Sequence, residues 1–184
     1  MEAITLYTRQ MPIVAETLKA EGTARVKRAY VEKKYGALPN FPAAYAVMRD
    51  LMKERVLPEP GDESPFWLHG TAEGTGIYAA DEGVLFTLSV PASECVFFDS
   101  RRWNRVLNLS YLGKDREDEA AFSRELLRLG IAHESLAFTT PFYPAVRRRI
   151  TDSWRERLLL PPENIHTLQA AVWHLRREWL VSEE

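Results

Sequence analysis

The sequence predicts an α+β fold, with a central mixed or mainly antiparallel sheet flanked by helices. Three observations carry that expectation. Two apolar runs bounded by turn residues, Val84 to Val90 and Cys95 to Phe98, read as neighbouring strands, with Pro91 to Glu94 turning the chain between them. The chain opens as a strand followed by a helix. Between Phe41 and Val56, apolar residues return every three or four positions, the period of a helix with one buried face. A chain of 184 residues is long enough for one well-cored domain, expected to span 1–184.

Taken in order, Ala3 to Thr8 alternates as a short strand does and ends in Arg9 and Gln10. Pro12 suits the first turn of a helix that Gly22 stops. Ala24 to Tyr35 reads as a basic helix carrying Val26 and Tyr30, and Phe41 to Val56 as a second helix. Pro58, Pro60, Gly61 and Pro65 make a loop, and Phe66 to His69 a short strand. Gly70, Gly74 and Gly76 then form an approach where missing Cβ atoms let backbone pass close to a flat ligand.

Past the two central strands, Asp99 or Ser100 caps a helix that carries Trp103, Val106 and Leu107. Glu119 to Leu129 is a helix ending at Gly130, and Pro144 opens another that runs to about Leu158. Trp103 and Trp154 read as core anchors. Ile165 to Trp179 fits a helical stripe or a strand; the Pro161-Pro162 break and the short alternation favour the strand.

Composition excludes several classes. With 46% hydrophobic and 27% charged residues the chain is neither disordered nor membrane-spanning, and no apolar run has spanning length. The first residues lack the basic-then-apolar pattern of an export signal, so a cytoplasmic location is expected. The lone Cys95 reads as a packed thiol. His69, His133, His166 and His174 lack ligand spacing, so no metal site is expected, and neither a Gly-x-Ser-x-Gly elbow nor a Walker loop is present.

A net charge of −2 implies no wholesale capture of nucleic acid, yet basic residues cluster. Arg25, Lys27, Arg28, Lys33 and Lys34 form one group; Arg147, Arg148, Arg149, Arg155 and Arg157 form another. Each also reads as a solvated helix face. If they grip phosphates, Tyr30, Phe142 or Tyr143 offers a stacking surface.

The segments Leu6 to Gln10, Phe66 to Leu68, Leu88 to Pro91 through Asp99, Trp103 to Asn108, Ser153 to Arg155 and Leu168 to Ala170 together resemble an uncharacterised bacterial family catalogued only as a domain of unknown function. That resemblance covers nearly the whole chain and supplies no activity. A second resemblance is to the ADP-ribosyltransferase fold. Those enzymes open with a strand bearing Arg or His, continue through a Gly-x-Tyr or Ser-Thr-Ser segment, and close with a strand carrying Gln-x-Glu.

This second resemblance implies a split sheet, NAD as cofactor and an unknown macromolecule as substrate. Thr8, Arg9 and Gly76 would hold NAD, Tyr78 would stack on nicotinamide, and Arg9, Tyr78 and Gln169 would form the catalytic set. Ala171 stands where the glutamate belongs, so Glu82, Glu163 or Glu178 would have to supply the acid. The ordinary reading makes Arg9 a surface residue, Tyr78 a core aromatic and Gln169 a helix-face polar group. The competing function is a non-catalytic RNA- or nucleic-acid-binding module with a small barrel core. Neither reading involves a membrane or specifies an oligomeric state.

Overall fold

Strand β1 (Ala3–Gln10) lies near the middle of a six-stranded sheet and defines its two faces. Side chains alternate along a strand, so buried Leu6 and Thr8 point one way while half-buried Tyr7 and Arg9 point the other. The structure is a computed structural model that describes residues 2–36, 38, 40–76, 83–164 and 167–184. Pro12 opens α1 (Pro12–Glu21), and Gly22 ends it in the left-handed conformation at φ 76°, its N–H returning to the Leu18 carbonyl.

The basic segment expected as one helix from Ala24 is divided. Thr23–Arg25 forms β2, with Ala24 buried, and α2 (Arg28–Tyr35) follows after a break at Val26 and Lys27. Helix α3 (Phe41–Arg55) turns Ala44, Tyr45, Met48, Leu51 and Met52 inward, as its period requires. Then come β3 (Phe66–His69), β4 (Val84–Pro91), β5 (Val96–Asp99) and α4 (Ser100–Leu107). Helices α5 (Arg116–Arg128), α6 (Leu136–Thr139) and α7 (Pro144–Arg157) precede β6 (Leu168–Val172), β7 (His174–Arg176) and β8 (Leu180–Glu183).

The main sheet runs β5-β6-β3-β1-β4-β8, and each neighbouring pair is antiparallel. Strands β4 and β5, expected side by side, are separated by β1, β3 and β6. In a flat sheet four inter-strand steps would span about 19 Å. The link between β4 and β5 is the 3-10 turn Ala92–Glu94 with Cys95, too short and too tightly wound for that distance. The sheet is therefore curled until these ends approach on one face, where Val90, Cys95 and Phe97 share a core. Among the described residues the sheet does not close into a barrel, since β5 and β8 stand at opposite ends of the order.

Two cores cover the two faces. On one side α3, α4, α5, α6 and α7 pack Met48, Met52, Trp103, Phe122, Ile150 and Trp154 against Val96, Phe98 and Ala171. On the other, α1 and the β2–β7 ribbon pack against Leu6, Leu68, Phe86 and Leu88. The ribbon is tied down by His174, whose Nδ1 lies 3.0 Å from a carboxylate oxygen of Asp62. The Asp62 side chain is itself fully buried.

Candidate functional site

The helical layer stops short of the whole sheet. It covers β5 and β6, and the same face over β1, β4 and β8 carries half-buried polar residues. Register places one row of side chains straight across that boundary. Phe98 pairs with Gln169, Gln169 with His69, His69 with Tyr7, Tyr7 with Thr87, and Thr87 with Ser182. Directly opposed residues share a face, so the row passes from a buried phenylalanine to half-buried polar residues.

Its centre is a polar pair. Gln169 Nε2 lies 3.2 Å from His69 Nδ1. Burial lowers the pKa of His69 below its ordinary value, which keeps the ring neutral. With the amide nitrogen donating, Nδ1 accepts and the ring proton sits on Nε2. The Oε1 atom of Gln169 is buried without a hydrogen-bond partner. The pair thus offers one N–H donor and one amide oxygen acceptor.

Arg9, two residues along β1 from Tyr7, donates from Nη1 to the Gly83 carbonyl at 2.9 Å, and its Nε is buried without a partner. The glycine segment passes beside the pair as a 3-10 turn, Glu73–Thr75. A Cβ added at Gly74 would stand 3.3 Å from His69 Cβ and 3.4 Å from His69 Nδ1. Gly76 follows at φ 77°, ψ 167°, backbone that side-chain-bearing residues avoid. Trp67 continues the wall, stacked on Trp103 at 4.9 Å and edge-on to Tyr45 at 5.4 Å.

Of the residues singled out in the sequence, Arg9, Gly76 and Gln169 all belong to this neighbourhood. Thr8 points to the opposite face, where it is 2% exposed and its hydroxyl donates to the Trp67 carbonyl at 2.9 Å. Its ordinary role is to hold β1 to β3. Tyr78 and Glu82 lie outside the described residues. Ala171 shares a face with Gln169 but is fully buried under the helices, and Glu163 and Glu178 are exposed. Glu178 adjoins Trp179, which packs in the core of the other face.

His69 and Tyr7 are the participants that sequence reasoning missed. The alternation Phe66, Trp67, Leu68, His69 held the signal: apolar Phe66 and Leu68 on one face leave Trp67 and His69 on the other.

Asp99 is a helix N-cap, its Oδ1 accepting from the Arg101 N–H at 2.9 Å. Cys95 is buried, and burial, reinforced by Glu94, pushes its thiol up to about 12. The arginine clusters are largely engaged. Arg25 pairs with Glu59 and Asp62, Arg28 with Glu32, Arg149 with Glu125, Arg155 with Asp50 and Glu54, and Arg157 with Glu156.

Among the described residues no group of three or more His, Cys, Asp or Glu is placed to hold a metal ion. No described helix is long and apolar enough to cross a membrane. In comparison with known proteins, the family model described as Domain of unknown function (DUF3841) matches residues 5–181. No curated protein and no solved structure matches the chain. The chain belongs to that family.

Proposed function

We propose that this DUF3841 member binds NAD on the open face around Gln169, His69 and Arg9 and transfers its ADP-ribosyl group to a macromolecule. One observation carries the reading. The strands bearing Arg9 and Gln169, which the resemblance to ADP-ribosyltransferases singled out, flank β3, so the middle of the sheet presents Gln169, His69 and Tyr7 in one row. Order along the chain alone would not require that convergence.

The chemistry available fits a dinucleotide. Gln169 Oε1 accepts from a ribose hydroxyl while His69 Nε2–H donates to a neighbouring oxygen, and both groups are buried enough for these bonds to outcompete water. The Arg9 guanidinium supplies positive charge for a pyrophosphate. The missing Cβ at Gly74 lets the turn pack directly against His69 and so helps hold the ring in place.

In the transfer, the bond from nicotinamide nitrogen to ribose C1′ breaks, with both electrons leaving on nicotinamide. An oxygen or nitrogen of the acceptor bonds C1′ and releases its proton to water. Ala171 supplies no carboxylate for the developing positive charge, and its buried position would keep a glutamate there beneath the helices. Catalysis therefore relies on the ligand's own phosphates and on the Gln169 oxygen, and turnover is slow.

Thermal unfolding across an NAD series to millimolar, with adenosine nucleotides as controls, tests the binding. The expected result is an NAD-dependent rise in Tm that Gln169→Ala and His69→Ala each diminish. Nicotinamide release measured alongside tests the transfer. No shift at millimolar NAD would remove the proposal.

A further inference from the structure

We infer that the exposed face of α2 docks single-stranded nucleic acid, and that this is the class of macromolecule delivered to the site. The acceptor role rests on the NAD reading above; the docking itself does not. Helix α2 is only eight residues long and buries none of them. Such a helix has little stability of its own. It is held at its two ends: the Arg28 N–H donates to Glu63 at 2.8 Å, and the Tyr35 ring stacks on Phe41 at 4.6 Å.

Between those anchors the surface is cationic and aromatic. Lys27, Lys33 and Lys34 are exposed and, among the described residues, form no ion pair; the acids nearby are engaged by Arg25 and Arg28. Lys27 and Lys33 lie three residues either side of Tyr30, which is 70% exposed, and the Lys34 ammonium lies 5.2 Å over the neighbouring Tyr35 ring. Arg49 of α3 adds to the positive field. Its pKa is lowered first by burial and then by the charge of Arg28.

Two ammonium groups beside one exposed phenol ring, with a third over Tyr35, complement phosphates spaced along a strand with a base to stack. An acidic protein would use the lysines but leave the ring without a partner. Beneath the surface, packed aromatic rings link it to the sheet that carries the site: Tyr35 lies 6.2 Å from buried Tyr45, Tyr45 lies 5.4 Å from Trp67, and Trp67 shares a sheet face with His69.

The test is fluorescence anisotropy of a labelled, mixed-sequence single-stranded oligonucleotide with the full chain, over a salt series. Binding should weaken with salt, and replacing Lys27, Lys33 and Lys34 together by Ser should weaken it at least tenfold. That variant should also lower the magnitude of the log–log salt slope by about 2, roughly 0.7 per lysine. Tyr30→Ala should weaken binding by about tenfold at unchanged slope. Arg147→Ser with Arg148→Ser, on α7, should change nothing.

Absence of binding at low salt, salt-independent binding, or parental affinity in either the lysine variant or Tyr30→Ala overturns the inference. Competition by polyglutamate that is insensitive to Tyr30→Ala assigns the surface to an acidic protein instead and also overturns it. All four positions are exposed, so circular dichroism and Tm should match the parent. The lysine variant should keep its NAD-dependent Tm shift, which separates failure here from failure of the NAD reading.

Discussion

Gln169 Nε2 stands 3.2 Å from His69 Nδ1, joining strands from the end and the middle of the chain on the half-covered face of the sheet. Burial favours neutral His69, so its folded pKa lies below the unfolded value. Between those two values the unfolded chain binds more protons, and stability rises with pH. It is lost as pH falls through about 6.5 toward the folded pKa. Tm recorded from about pH 8 to about pH 5 should therefore drop more in the parent than in His69→Gln. Equal acid slopes in the two would refute the assignment.

Gly74 and Gly76 should respond differently to alanine. At Gly74 the new Cβ meets His69 at 3.3 Å, so the ring or the turn must give by a few tenths of an ångström. Gly74→Ala should cost less than about 1 kcal/mol of stability yet reduce the NAD-dependent Tm shift. Gly76→Ala forces a Cβ into its unusual backbone and should cost about 1–3 kcal/mol, read as a lower urea midpoint at constant m-value.

Asp99 closes two elements at once. Its Oδ1 caps α4, and its Oδ2 accepts the Thr167 N–H at 3.3 Å beside β6. Asp99→Ala should cost about 1–2 kcal/mol. Asp99→Asn keeps an acceptor and should cost less than half of that, a comparison available from urea unfolding. Similar losses in both variants would mean that charge, not capping, is what Asp99 provides.

Leu109 holds a left-handed conformation, φ 58°, that usually belongs to glycine. The N–H groups of Leu109 and Ser110 return to Val106 and Arg105, closing α4 in a Schellman motif. Its side chain is 2% exposed in the helical core. Leu109→Gly relieves about 1 kcal/mol of backbone strain and removes a buried side chain worth about 2–5 kcal/mol. The expected net result is destabilisation; a stabilised variant would show that packing does not explain the leucine.

Local chemistry was legible wherever one residue and its near neighbours decided the outcome. Pro12 and Gly22 bounded α1, Asp99 capped α4, and the three-to-four period of Phe41 to Val56 gave a helix with one buried face. The alternation after Pro161-Pro162 led to a strand at Leu168–Val172, although the positions at 165 and 166 lie outside the described residues. Thr23–Arg25 and Leu180–Glu183 escaped notice because a strand of three or four residues carries too little pattern, and each exists through its partner, β7 or β4.

By itself, then, the sequence determined most of the longer strands and helices, where many of them stop, and which side of each is apolar, because those properties depend on residues within a turn or two. Only the tertiary structure decided that β4 and β5 lie apart, that Thr8 turns away from Arg9, and that His69 meets Gln169. It also decided which cations stay free, since Arg149 and Arg155 find their acids on α5 and α3, while Lys33 and Lys34 find none among the described residues. Strand order and ion pairing join residues tens of positions apart, and the free energy that selects them comes from burying both sheet faces together. No local spacing encodes that choice.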